Sequence, residues 1–272
     1  MRLLTILLGA AFLVACGGEL PESSPVALSP TRIVSLDHCA DQYVLKFAPR
    51  DHILAVSPGA DENYSFMREE AAGVSTVRST AEDVLALRPD LVVRSYGGGP
   101  DAATFFERAG VPVLEVGWAA DIPSVLTTVE RMAAALGSPD AGRAVVEDVR
   151  KRLAALPKTE EALLYLTPSG VTTGPGSLVH EIIRAAGYTN FEAVPGWKPI
   201  PLERLAYERP NRIAAAFFDT MPDYPDTWSP VKHPIAKARL HQTPVAALDG
   251  AWTGCAGWYL IEAVEAMARG GA

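Results

Sequence analysis

The chain has 272 residues, long for one core and comfortable for two at about 150 residues per domain. Its hydrophobic fraction of 49% and charged fraction of 21% are those of an ordinary globular protein. The formal net charge of −8 argues against a nucleic-acid binder, which needs a basic stripe to meet the phosphates.

Arg2 gives a small positive start, and Leu3 to Val14 form an apolar stretch too brief to span a bilayer. It ends Leu13-Val14-Ala15-Cys16, which resembles the lipobox of bacterial lipoproteins. Residues 1–16 therefore read as a lipoprotein signal peptide with Cys16 carrying the lipid. An ordinary signal peptide cut near Ala15 is the other reading. Residues 17–30 are rich in Gly, Pro, Ser and Glu and lack apolar periodicity, so they read as a flexible tether. The folded body is expected outside the cytoplasmic membrane, held there by the lipid anchor alone.

Residues 31–120 read as a first α/β lobe. Arg32 to Leu36 is a short β-branched strand, and Tyr43, Val44 and Phe47 mark a helix capped by Asp37 or Asp41. His52 to Val56 is a second strand, closed by Ser57-Pro58-Gly59. Asp61 to Ala72 reads as a loop with a short helix. Glu82 to Asp90 is a helix stopped by Pro89, because a residue before proline is pushed out of the αR region. Strands at Leu91 to Arg94 and Val111 to Val116 flank a helix over Thr104 to Ala109. Strands alternating with helices predict a parallel sheet with right-handed crossovers.

Residues 121–157 are almost uninterrupted helical pattern, broken at Gly137-Ser138-Pro139. The second of these helices, Asp140 to Leu156, is expected to be about 25 Å long and to cross between lobes as a stiff linker. Residues 158–272 repeat the first lobe: a strand over Ala162 to Leu166, the turn Thr172 to Ser177, and a helix over 178–186. Glu203 to Asn211 aligns without a gap on Glu82 to Asp90, with Arg209 over Arg88 (209 − 88 = 121), and a strand over Ile213 to Phe218 follows. A helix near His233 to Arg239, a strand at Val245 to Leu248 and a closing helix to Arg269 complete the chain. The fold class is α/β, two Rossmann-like lobes with parallel sheets joined by a long linker helix. Ligands of such sheets bind beyond the carboxyl ends of the strands. Those ends carry Asp37, His38, Cys39, Tyr64, Ser95, Tyr96, Trp118, Gly174, Trp197, Asp219, Trp252 and Trp258.

The order of Arg32 to Leu36, Leu87 to Val93, Gly110 to Glu115, the linker helix, Thr173 to Ser177 and Glu203 to Pro210 resembles the periplasmic solute-binding proteins for vitamin B12, ferric siderophores and haem. The resemblance covers the chain from about Arg32 to its carboxyl end. It implies a monomeric binding protein rather than an enzyme, feeding a metal–organic chelate to an ABC permease dimer. It implies that Glu82 and Glu203, one on each lobe, dock on the two permease subunits. Each is also a first-turn acid that a helix dipole favours. Trp197 stands where the vitamin B12 binder places a pocket tryptophan, while Thr76 and Ser95 stand where large rings are expected.

In this architecture Cys39 and Cys255 approach the cleft from opposite lobes, and three roles stay open: a clamp on a soft or cobalt-containing ligand, a disulfide across the lobes, or passive burial. A resident cofactor is not expected, and neither is a bare-metal site: zinc wants four ligands at recognisable spacing, and none is present. Capture of bare zinc or manganese, haem binding, and a hydrolase using Cys39 or Ser177 remain the alternatives to corrinoid or siderophore capture. The hydrolase lacks a Gly-x-Ser-x-Gly elbow.

Overall fold

The computed structural model describes residues 30–217 and 229–269. Cys16, the expected lipid carrier, and Asp219, an expected cleft residue, lie outside the described residues. No helix among those described is long and apolar enough to cross a membrane.

The first lobe runs β1 (Ile33–Ser35), α1 (His38–Phe47), β2 (Ile53–Ala55), α2 (Ala81–Ala86), β3 (Leu91–Arg94), α3 (Ala102–Arg108) and β4 (Val113–Glu115). Its four strands are all parallel, in the order β2-β1-β3-β4. The linker follows as α4 (Ile122–Ala135) and α5 (Pro139–Ala154). The second lobe contains β5 (Ala162–Leu166), β6 (Val171–Thr173), α6 (Leu178–Ala185), β7 (Thr189–Asn190), β8 (Trp197–Pro199), α7 (Leu202–Tyr207), β9 (Arg212–Phe217), α8 (Pro234–Gln242), β10 (Val245–Asp249) and α9 (Leu260–Arg269). Its parallel sheet has the order β7-β5-β9-β10, which matches the first sheet strand for strand.

The sequence repeat is a structural repeat. Helices α2 and α7 both span six residues, and their bounds are displaced by the same offset (202 − 81 = 121 and 207 − 86 = 121). Strands β3 and β9 begin with that offset too (212 − 91 = 121). Both helices end two residues before the arginine that precedes proline, and Arg88 itself sits at φ +51, in the left-handed region.

Three features depart from the sequence reading. Residues 61–72 form turns rather than a short helix. The linker is a helical hairpin: α5 folds back on α4, so close that a Cβ at Gly142 would stand 2.5 Å from the Ala133 Cβ. An antiparallel ribbon of β6 and β8 is added to the second lobe, pairing Thr173 with Trp197.

One apolar core runs through both lobes. It joins Tyr43, Val44 and Phe47 of α1, Val125, Val129 and Met132 of α4, and Val146 and Val149 of α5 to Ile182 and Ile183 of α6 and to Val264 and Met267 of α9. Each fully buried side chain of this kind contributes about 1.5–3 kcal/mol, so separating the lobes is costly. The outer sheet faces are covered by smaller clusters around Val84, Val92 and Phe106 and around Leu164, Leu205 and Ile213. Burial on both faces is why the strands read as continuous apolar runs.

Candidate functional site

The carboxyl ends of β1 and β3 are tied together by one carboxylate. Asp37 caps α1 by accepting from the Ala40 amide (3.0 Å) and also accepts from the amides of Ser95 (2.7 Å), Tyr96 (3.0 Å) and Gly97 (2.8 Å). The side chain is buried, so it shapes the site rather than offering itself to a ligand. Gly97 is required here, because a Cβ would stand 2.5 Å from the Leu36 carbonyl oxygen. Asp41, the other capping candidate, is buried beneath the site and accepts from the Ser57 amide and hydroxyl. Burial pushes its carboxyl up to about 6.

This framework presents a polar cavity of about 380 Å³, walled by His38, Tyr64, Tyr96, Ser57, Gly59 and Gly97 among others. His38 Nδ1 lies 2.5 Å from the Tyr96 hydroxyl, and the Tyr64 ring meets the imidazole edge-on at 5.0 Å. Burial lowers the His38 pKa against the pull of Asp37, so the imidazole is neutral at pH 7. Burial and the Asp37 carboxylate push the Tyr96 phenol up to about 12, so it keeps its proton.

A second cavity, of about 290 Å³, opens between the two lobes. Trp118, Trp197 and Trp252 surround it, with Val179 and Ile182 of α6 behind them and Cys255 on one side. Trp118 follows β4 and is 87% exposed; Trp197 is held out on β8 and is 55% exposed. Rings this large left open to solvent offer an apolar surface of the kind that suits a ligand.

Cys39 and Cys255 are joined as a disulfide, with their Cα atoms 5.5 Å apart. The bond crosses from the amino end of α1 to the loop before α9. It stands where the cavities meet, since Cys255 lines the apolar one and His38 the polar one. His38 Nε2 is 3.7 Å from Cys39 Sγ.

Of the other sequence candidates, Ser95 enters only through its amide bond to Asp37. Gly174 lines neither cavity: a Cβ there would stand 2.0 Å from the Val194 carbonyl oxygen, so it is a close backbone approach. Trp258 is 7% exposed and packs edge-on against Tyr43, Phe47 and Phe66 in the core. Ser177 caps α6, accepting from the His180 amide and donating to the Gly174 carbonyl. Val179 and Ile182 were legible only as one stripe of an amphipathic helix, which says buried without saying against what.

Two α/β lobes of one topology, clasped around an aromatic cleft, define a two-lobed solute-binding protein. A family model described as periplasmic binding protein matches residues 33–221, and the chain belongs to that family. No curated protein sequence matches the chain. Among solved structures it is similar to a possible iron-binding (periplasmic solute-binding) protein from Staphylococcus epidermidis, at 17% identity and TM-score 0.70, covering 89% of this chain and 98% of that one. It is similar to a periplasmic heme binding protein of Vibrio cholerae (19%, TM-score 0.70, 88% and 98% covered). A periplasmic vitamin B12 binding protein of the same organism matches at 19% and TM-score 0.62, with 89% and 96% covered. At such identities the likeness is one of fold.

Proposed function

We propose that this chain is a lipid-anchored capture protein of an ABC importer and that its cargo is a corrinoid held in the inter-lobe cleft. The observation that carries the reading is the wall of Trp118, Trp197 and Trp252 beside the His38–Tyr96 pair. Apolar rings suit the faces of a flat macrocycle, while a few oriented polar groups suit its rim or its metal. Charge then separates the candidates. Among the described residues, neither cavity is lined by Lys or Arg. Haem propionates and anionic ferric siderophores would enter without a counter-charge, at a desolvation cost of several kcal/mol per charge. A corrinoid, rimmed with neutral amides, avoids that cost.

Delivery is assigned to Glu82 and Glu203. Both are exposed at the second position of matching helices, and neither has an ion pair or hydrogen bond among the described residues. Residues of that kind are free to meet arginines of a permease.

Tryptophan-fluorescence titration against cobalamin, cobinamide, haem and ferric siderophores tests the reading. Saturable quenching by a corrinoid is expected, weakened about 10-fold or more by Trp197→Ala. Quenching by haem or a siderophore alone would replace the cargo. Flat titrations with folded protein would remove the cleft assignment.

A further inference from the structure

We propose that reduction of the Cys39–Cys255 disulfide converts its sulfurs, with His38, into a binding site for a thiophilic metal cation. The two sulfurs and a His38 ring nitrogen all lie within 4.8 Å of one another. Zinc–thiolate bonds are about 2.3 Å long, so tetrahedral ligation places two sulfurs about 3.8 Å apart. Rotation about the two Cα–Cβ bonds opens the cysteines to that separation while the backbones stay where they are.

His38 is already set as a ligand. Its Nε2 faces Cys39 Sγ at 3.7 Å, and its Nδ1 is paired with the Tyr96 hydroxyl at 2.5 Å. With Nε2 as the donor to metal, Nδ1–H donates to the Tyr96 oxygen, which fixes both tautomer and ring orientation. Three protein ligands leave a fourth position open toward the cleft, as in zinc sites that hold an exchangeable water.

Opening the bond does not release the lobes. The core that runs through both is continuous, and the Tyr43 hydroxyl donates to the Ala256 carbonyl at 2.6 Å, one residue from Cys255. The two sulfurs therefore stay opposite each other after reduction.

The step needs a dithiol reductant. A reductant thiolate attacks one sulfur, the protein's S–S bond breaks, and a mixed disulfide forms. The second reductant thiol then displaces the protein sulfur and leaves as a disulfide. Two electrons and two protons end on Cys39 and Cys255. Metal binding expels those two protons.

The purified protein, oxidised or reduced with a dithiol that is then removed under anaerobic conditions, is titrated with Cd2+ and read by thiolate-to-metal absorption. The reduced form is expected to take up a single ion that zinc displaces, and the oxidised form none. His38→Ala, which keeps both cysteines and can be checked for its disulfide and fold, is expected to bind the ion about 10–100-fold more weakly. Cys39→Ser with Cys255→Ser is expected to remove the absorption. Equal uptake by oxidised and reduced protein, unchanged affinity in His38→Ala, or no uptake by folded reduced protein would each overturn the proposal. No chelate is present, so a failed corrinoid titration does not decide this result.

Discussion

Asp90 and Asn211 hold the same place in the two lobes, 121 residues apart (211 − 90 = 121), and make the same clasp. Asp90 accepts from the amides of Thr31 and Arg32, both at 2.9 Å, and its own amide donates to the Arg32 carbonyl. Asn211 accepts from the Ala162 amide at 2.8 Å and donates its own amide to the Ala162 carbonyl. Each clasp fixes the first strand of its lobe to the strand that follows the repeated helix. One clasp titrates and the other does not.

That difference gives a pH prediction. Partial burial works against the Asp90 charge, but the bonds from Thr31 and Arg32 outweigh it and hold the carboxyl below its ordinary 3.8. A carboxyl with a depressed folded pKa stabilises the fold above its unfolded value, and that stability is lost as pH falls through the folded one. Asp90→Asn is therefore expected to lose less stability than wild type between pH 5 and pH 3, and Asn211→Asp to lose more. Urea midpoints at the two pH values decide it. Parallel losses in all three proteins would show that the clasp carries no charge-dependent stability.

The tight linker hairpin gives a second. Gly142→Ala improves helix propensity by about 1 kcal/mol, which alone would stabilise α5. The added methyl would meet the Ala133 Cβ at 2.5 Å, and neither partner has a side chain that can swing away. Overpacking of that kind costs about 1–3 kcal/mol, so a net loss is expected, read as a lower thermal midpoint. A rise in the midpoint would mean that α4 and α5 are not held that close.

Much of this architecture was legible, and for a physical reason. The helix–proline–strand unit repeats because each lobe needs the same exposed helix and the same doubly covered strand, and both leave periodic marks in sequence. The cleft was legible as a set of aromatics after strands, but not as an assembly. Trp258 reads like Trp252 in sequence, yet Tyr43, Phe47 and Phe66 enclose it, and those contacts are made across long separations. The β6–β8 ribbon escaped because Thr172 to Ser177 carries turn chemistry that hides two of the three residues of β6. The pairing of Cys39 with Cys255 was one of three open readings, since spacing along the chain says nothing about separation in space.

The proposed docking through the repeat can be tested apart from ligand capture. Glu82→Lys and Glu203→Lys lie outside both cavities, so each variant is expected to titrate ligand as wild type does. In liposomes carrying the cognate permease, stimulation of ATP hydrolysis is expected to fall at least about 10-fold, because a charge reversal at an ion-pair interface repels where it attracted. Full stimulation by the double variant would move docking to another surface.

The disulfide itself should stabilise the protein without being needed for folding. It closes a loop with a sequence separation of 216 residues, and bonds over long loops contribute typically about 2–4 kcal/mol by restricting the unfolded chain. Against that stands the core shared by both lobes, in which Tyr43, Val129, Ile183 and Val264 are completely buried and owe nothing to the bond. The core contributes more than the bond. Reduced protein is expected to unfold at a lower urea midpoint in a single transition, with near-ultraviolet circular dichroism in water close to that of the oxidised form. Loss of that signal on reduction would show that the bond, rather than the core, holds the lobes together. Two separate transitions would show that the lobes unfold independently once it is opened.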